Sequence, residues 1–185
     1  MMLSDQDIRE AIKSGLLTID PMRDEFIRAS GVTLHLGRTL LKPVSDTVID
    51  VKKGTLPDYQ EIKLDTETAY TLNPGEFLLG HTHQKVTVGN SLGFLIEGRS
   101  TLARIGLTIV QTAMIVYPGH TDRAVTLELA NHGPNPIKLY YRMKIARAAI
   151  FELKTPSTIM YDDYGKYKDQ SGVGKPVFKD EVWED

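Results

Sequence analysis

The sequence predicts an all-β domain with one short helix at its start and a separate arm at its end, and three observations carry that reading. Short apolar runs of β type follow one another at close spacing, turn residues punctuate them, and no helical pattern intervenes. Such a pattern suits a sandwich or a distorted barrel and argues against a parallel α/β sheet. At 185 residues the chain fits a single domain over residues 1–153, followed by an arm over residues 154–185.

The helix comes first. Ser4 is an N-cap with Asp7 at the third helical position, Leu3 can staple against Ile8, and Ile8, Ala11 and Ile12 form the apolar stripe that Gly15 ends. Residues 32–37 alternate as a half-buried strand should. Tyr70–Leu72 leads through the turn Asn73-Pro74-Gly75 to a strand from Phe77, and Gly93–Gly98 is a strand bounded by glycines. Leu107 to Tyr117 reads as one longer strand, Val125–Leu129 alternates, and two more strands follow at Ile137–Tyr141 and Ile145–Phe151. Residues 42–65 mix Pro, Asp, Lys and Gly and read as a long surface excursion. The arm carries Tyr161, Tyr164 and Tyr167 among few other large apolar groups. This favours an arm that orders over a ligand or a neighbouring subunit above a disordered tail.

Composition narrows the function classes. Lys plus Arg number 22 against 24 Asp plus Glu, a net charge of −2, so the basic excess of a nucleic-acid binder is missing, although a local cationic pocket remains compatible. With no cysteine there is no thiol nucleophile, thiolate-bound metal or disulfide. Charged residues interrupt the N-terminal apolar residues, and no apolar run reaches the roughly 18 residues of a membrane span. The expectation is a soluble, cytoplasmic protein without a membrane partner.

Two places carry candidate chemistry. Glu97-Gly98-Arg99-Ser100-Thr101-Leu102-Ala103-Arg104 sets hydroxyls and guanidiniums directly after an apolar strand. If the chain turns helical there, Ser100 and Thr101 lie near free N–H groups, and Arg104 shares a face with Ser100, an arrangement suited to an anion. The alternative is an ordinary cap beside solvated arginines. In residues 125–129, Thr126 and Glu128 point opposite to Val125, Leu127 and Leu129. If they line a pocket, Glu128 is a partly desolvated carboxylate suited to proton shuttling; facing water, it is inert. Arg123, Arg142 and Arg147 are weaker candidates for phosphate contacts. His81 and His83 share a strand face, but no third ligand stands at motif spacing. The H-x-E and P-C-x-x-C signatures of zinc deaminases are both missing, so any deamination by this chain would activate water without zinc.

The stretch GRSTLARIGLTIVQTAMIVYPG, followed by VTLELAN, PIKLYYRMKIARAAIFEL and YGKYKDQSG, resembles the deoxycytidine triphosphate deaminases of the trimeric dUTPase superfamily. MLSDQDIREAIKSGLLTIDP and SGVTLHLG resemble the family's opening. The resemblance implies a distorted β-barrel or jelly-roll-like subunit of dUTPase type, assembled as a homotrimer with active sites between subunits. It implies that Glu128 shuttles protons while Ser100 and Arg104 hold the water and the triphosphate environment near the base. Arg99, Thr101, Leu102 and Ala103 resemble the surrounding nucleotide loop. Ala113 resembles the small residue beside the base, and Thr126 and Leu127, which directly precede the carboxylate, resemble substrate contacts. Lys166 and Gln170 resemble residues that close over the phosphates, and Tyr161 resembles a tail tyrosine, at a different spacing. The implied metal is Mg²⁺ carried by the substrate triphosphate, with no zinc.

One departure bears on the reaction. Tyr117 stands where the family has an aspartate that meets the sugar and, in members that also cleave the triphosphate, helps activate water. A phenol is no carboxylate base near neutral pH. The turn from Gly119 to Val125 is also one residue longer than the family's. Deamination of dCTP to dUTP and ammonia therefore ranks first. A dUTP diphosphatase or bifunctional enzyme ranks second, and a non-catalytic nucleotide-binding relative third.

Overall fold

The chain is described by a computed structural model over residues 1–182. It opens on α1 (Asp5–Lys13), whose Ser4 side chain accepts from the Asp7 N–H while the Asp7 carboxylate accepts from the Ser4 N–H. This reciprocal cap satisfies otherwise orphaned donors, as the sequence predicts, and Ile8 and Ala11 are the buried residues of the stripe.

Among the described residues thirteen strands follow: β1 (Leu17–Asp20), β2 (Ile27–Arg28), β3 (Gly31–His35), β4 (Thr39–Pro43), β5 (Tyr59–Lys63), β6 (Tyr70–Leu72), β7 (Phe77–Val88), β8 (Leu92–Gly98), β9 (Leu107–Thr108), β10 (Ile115–Val116), β11 (Arg123–Asn131), β12 (Ile137–Leu139) and β13 (Lys144–Glu152). A single-turn helix α2 (Ser100–Ala103) follows β8, and another, α3 (Tyr161–Tyr164), lies in the arm.

The strands form two main sheets. One runs β5-β4-β7-β11-β9, with β1 also paired to β7; the other runs β10-β8-β13-β3-β2. The strand β12 pairs separately with β6. Each main sheet keeps two free ends, so the described residues form an open two-sheet, jelly-roll-like arrangement and not the closed barrel that was one expectation. Both sheets contribute to one hydrophobic core: Leu78, Val86, Leu127 and Leu129 from the first, and Leu34, Phe94, Ile96 and Ile150 from the second.

Between β3 and β4 the chain passes from one sheet to the other, where the Gly37 N–H donates to the His81 carbonyl at 2.7 Å. A Cβ on Gly37 would lie 2.2 Å from the His81 ring, so a larger residue at this crossing would have to displace that ring.

Three sequence expectations change. All five residues of β3 are buried, not alternate ones, because its second face is also covered. There His35 donates its N–H to the Gln84 side-chain oxygen at 2.9 Å, and its Nδ1 lies 2.8 Å from the Gln84 amide nitrogen. Residues 107–117 are not one strand: β9 pairs with β11, whereas β10 pairs with β8 in the other sheet. The intervening Gln111 N–H goes to the Glu128 carboxylate and not to a strand ladder. Finally, the excursion at 42–65 contains β5, which pairs with β4 from Thr39↔Lys63 to Pro43↔Tyr59.

Burial holds the pKa of His35, His81, His83 and His120 below the ordinary value of 6.5, with nearby Lys144 and Arg99 acting in the same direction on His35. Unfolding restores ordinary imidazoles, so below about pH 6.5 the unfolded chain binds more protons than the folded one. Thermal midpoints measured at fixed chain concentration should therefore fall as pH drops from about 6.5 through the lowered folded values. A flat profile between pH 7 and about 5.5 would contradict neutral buried histidines.

Candidate active site

A cavity of about 510 Å³ lies between the face of β7 and β11, the segment from Ala113 to Tyr117, and the arm. Phe77 and Leu79 of β7, Thr126 and Glu128 of β11, and Tyr161, Tyr167, Gln170 and Pro176 of the arm line it.

Strand alternation sends Leu127 and Leu129 into the core, each fully buried, and leaves Thr126 and Glu128 on the cavity side. A β-bulge between Ala124 and Thr126 interrupts the pairing with β7. The Val125 N–H freed there donates to the buried Thr82 hydroxyl at 2.9 Å, and Ala124, Val125 and Thr126 all reach the cavity wall. Leu127, a predicted substrate contact, directs its side chain away from the cavity.

Glu128 accepts the Gln111 N–H at 2.9 Å, and its own N–H donates to the Ile109 carbonyl at 3.0 Å. The carboxylate is thus tied to the loop that connects β9 to Ala113 and Tyr117, both on the cavity wall. Tyr117 is 49% exposed. Glu128 is the only carboxylate among the described lining residues.

The arm folds back on the same chain. The Tyr161 N–H donates to the Pro118 carbonyl at 2.8 Å, and Gln170 donates to the Thr126 hydroxyl at 2.8 Å and to the Gly172 carbonyl at 2.7 Å. Burial pushes the Tyr161 phenol up, so it stays neutral at physiological pH. Lys166 lies off the cavity wall and pairs with Glu181 at 2.5 Å.

Residues 99–104 lie elsewhere. Arg99 is the N-cap of α2 without a side-chain capping bond, and Ser100, Thr101 and Arg104 are exposed. Leu102, Ala103 and Arg104 line a separate groove of about 780 Å³ with Gly106, residues 133–138 and Met143. A single chain therefore gathers Glu128, Ala113, Tyr117, Thr126, Tyr161 and Gln170 but does not bring Ser100 or Arg104 to them. Of the weaker arginine candidates, Arg123 is engaged with the arm through Asp162, while Arg142 stacks 5.0 Å from the Tyr141 ring.

Tyr59, Phe77, Leu79 and His120 also line the cavity and were not singled out in the sequence. The alternation of β7 offers a signal for Leu79, but nothing local marks Tyr59, which arrives from a distant hairpin. Among the described residues no group of three His, Cys, Asp or Glu side chains could hold a metal ion, and no helix is long and apolar enough to cross a membrane.

Residues 2–153 match the family model described as dCTP deaminase-like. A dCTP deaminase, dUMP-forming, of Beutenbergia cavernae is 37% identical over 177 residues, covering 93% of this chain and 92% of the relative. A protein of the same description from Aquifex aeolicus is 36% identical over 174 residues, covering 94% and 92%. The crystal structure of the 2'-deoxycytidine 5'-triphosphate deaminase from Agrobacterium tumefaciens superposes with a TM-score of 0.63 at 12% identity, over 82% of this chain and 48% of that one. That likeness supports the two-sheet fold, and the present chain spans about half of the solved one. The family match over most of the chain and the near full-length relatives together place it: the chain belongs to the dCTP deaminase-like family and is a hydrolytic enzyme.

Proposed function

We propose that this enzyme deaminates dCTP to dUTP and ammonia, with Glu128 as the proton shuttle. The observation that carries the reading is a largely apolar cavity with one lining carboxylate, flanked by a hydroxyl at Thr126 and an amide at Gln170. In this reaction a water oxygen adds to C4 of cytosine while Glu128 takes one of its protons and passes it to N3. The tetrahedral centre then collapses: its hydroxyl proton travels through Glu128 to the amino group, the C4–N bond breaks, ammonia leaves and the C4 carbonyl forms. The Gln111 N–H holds one carboxylate oxygen, which leaves the other free to face the substrate. Apolar walls exclude competing water and strengthen the electrostatic contacts made during attack.

The separation of Ser100 and Arg104 from Glu128 supports completion of the site by a second copy of the chain. The exposed α2 would bring its hydroxyl and guanidinium to the cavity of a neighbour, in a homotrimer with three equivalent sites. Lys166 would reach the phosphates by exchanging Glu181 for them. Mg²⁺ would arrive as the counter-ion of the triphosphate, coordinated by phosphate oxygens. That fits a chain whose described residues offer no resident three-ligand cluster.

A second reading is favoured by the relatives, whose descriptions carry the words dUMP-forming. It requires a second activated water at the α-phosphate, and the cavity presents Tyr117 in place of a second carboxylate. Incubation with dCTP and Mg²⁺, with ammonia and nucleotide products resolved, separates the readings. Ammonia with dUTP is expected. Ammonia with dUMP and pyrophosphate would establish the bifunctional reaction, and no ammonia would remove both.

A further inference from the structure

We infer that Arg123 is a positioning residue that clasps the C-terminal arm over the cavity and so retains the substrate. The inference rests on the deaminase reading for its kinetic consequence but not for the clasp itself.

Arg123 begins β11, three positions before Thr126 and five before Glu128, and its side chain is only 11% exposed. Among the described residues, both hydrogen bonds of its terminal nitrogens go to the arm. One donates to the Lys168 carbonyl at 2.6 Å, and the other is paired with the Asp162 carboxylate. The guanidinium carbon lies 5.7 Å from the centroid of the Tyr161 ring, and that ring in turn stands 6.0 Å from His120 on the cavity wall. Burial would raise the Asp162 carboxyl, but hydrogen bonds from Arg123 and Thr121 override it and hold the group below the usual carboxylate range. A planar guanidinium can satisfy a carboxylate, a carbonyl and a ring face together, which an ammonium cannot do from one position.

These contacts hold the arm at 161–162 and at 168, on either side of the turn that contains Lys166. Gln170 then reaches Thr126, and Lys175 lies 5.4 Å from the centroid of the Tyr59 ring at the far side of the cavity. The Arg123 contacts therefore set where Tyr161, Tyr167 and Gln170 sit on the wall. Without the guanidinium, the partly buried Asp162 carboxylate loses its counter-charge and keeps only the Thr121 hydroxyl, and the arm gains by swinging it into water.

The full-length chain, its Arg123→Met, Arg123→Lys and Asp162→Asn forms and the Met/Asn double variant test this. Hydrogen–deuterium exchange over residues 154–176 should quicken by about tenfold in Arg123→Met, with β7 and β8 protected as before. Asp162→Asn should loosen the arm similarly, the double variant should be no looser than Arg123→Met alone, and Arg123→Lys should restore part of the protection. For ammonia release from dCTP, KM should rise by about tenfold in Arg123→Met while kcat changes less than about threefold, as expected for lost retention with intact chemistry. Unchanged arm exchange in Arg123→Met would overturn the clasp, as would fully additive loosening in the double variant. A loosened arm with an unchanged KM would overturn its role in substrate retention. If the unaltered chain releases no ammonia, the deaminase reading fails, and the exchange data alone decide the clasp.

Discussion

Glu128→Gln should lower ammonia release from dCTP by about a thousandfold, within the range for removal of a general acid–base group. The replacement is close to isosteric, and its side-chain carbonyl can still accept the Gln111 N–H that Glu128 accepts at 2.9 Å. The loop carrying Ala113 and Tyr117 should therefore stay in place, and nucleotide affinity should change by less than about tenfold. An amide cannot take a proton from water and return it, so the loss belongs to the chemical step. Near-normal turnover in Glu128→Gln would remove Glu128 from the mechanism. The same variant tests shared sites: mixed and reassembled with an inactive Arg104→Ala chain, it should regain activity, because some interfaces pair an intact Glu128 with an intact Arg104. No recovery in hybrids verified by mass would place both residues' contributions within one chain.

Gly106→Ala should destabilise the fold by about 4 kcal/mol or more, an effect reserved for a few mechanisms of which backbone strain and overpacking are two. Gly106 has φ +87°, where an L side chain is strained, and a Cβ there would lie 2.2 Å from the Gly133 nitrogen, a backbone atom that cannot turn aside. The contact is held on both sides. The His132 N–H donates to the Gly106 carbonyl at 2.8 Å, and the buried Asn131 side chain accepts the Gly133 N–H at 2.9 Å. In a domain of this size that loss corresponds to a fall of roughly 8–16 °C in the thermal midpoint at fixed chain concentration. A midpoint within about 2 °C of the parent would show that the α2 turn can shift at little cost. Because this junction anchors α2, the variant should also displace Ser100 and Arg104.

Where legibility held, local physics dominates. The Ser4–Asp7 cap depends on residues three apart, and the alternation from Thr126 to Leu129 separates cavity from core through the two-residue period of a strand, whereas the bulge turns Val125 to the cavity wall as well. Where it failed, long-range contacts decide. Residues 107–117 have strand-like composition, yet β9 and β10 end in different sheets, and between them Gln111 spends its N–H on Glu128, 17 residues away in the chain. The β5 strand hides in a polar stretch because it needs only β4 as a partner and carries no fully buried residue. Arg123 looked like one more phosphate candidate, since nothing local announces that Asp162 will meet it.

The sequence by itself determined the helix and its cap, most of the strands, the family, and the identity of Glu128 as the proton-handling candidate, because each is encoded over a few consecutive residues or in a contiguous motif. Only the tertiary structure decided the rest. Between the expected barrel and jelly-roll-like arrangements it decided for two open sheets among the described residues, it separated Ser100 and Arg104 from Glu128, and it laid the arm across the same chain's cavity. Those outcomes depend on which distant backbone groups and charges meet, and a linear pattern carries no record of that pairing.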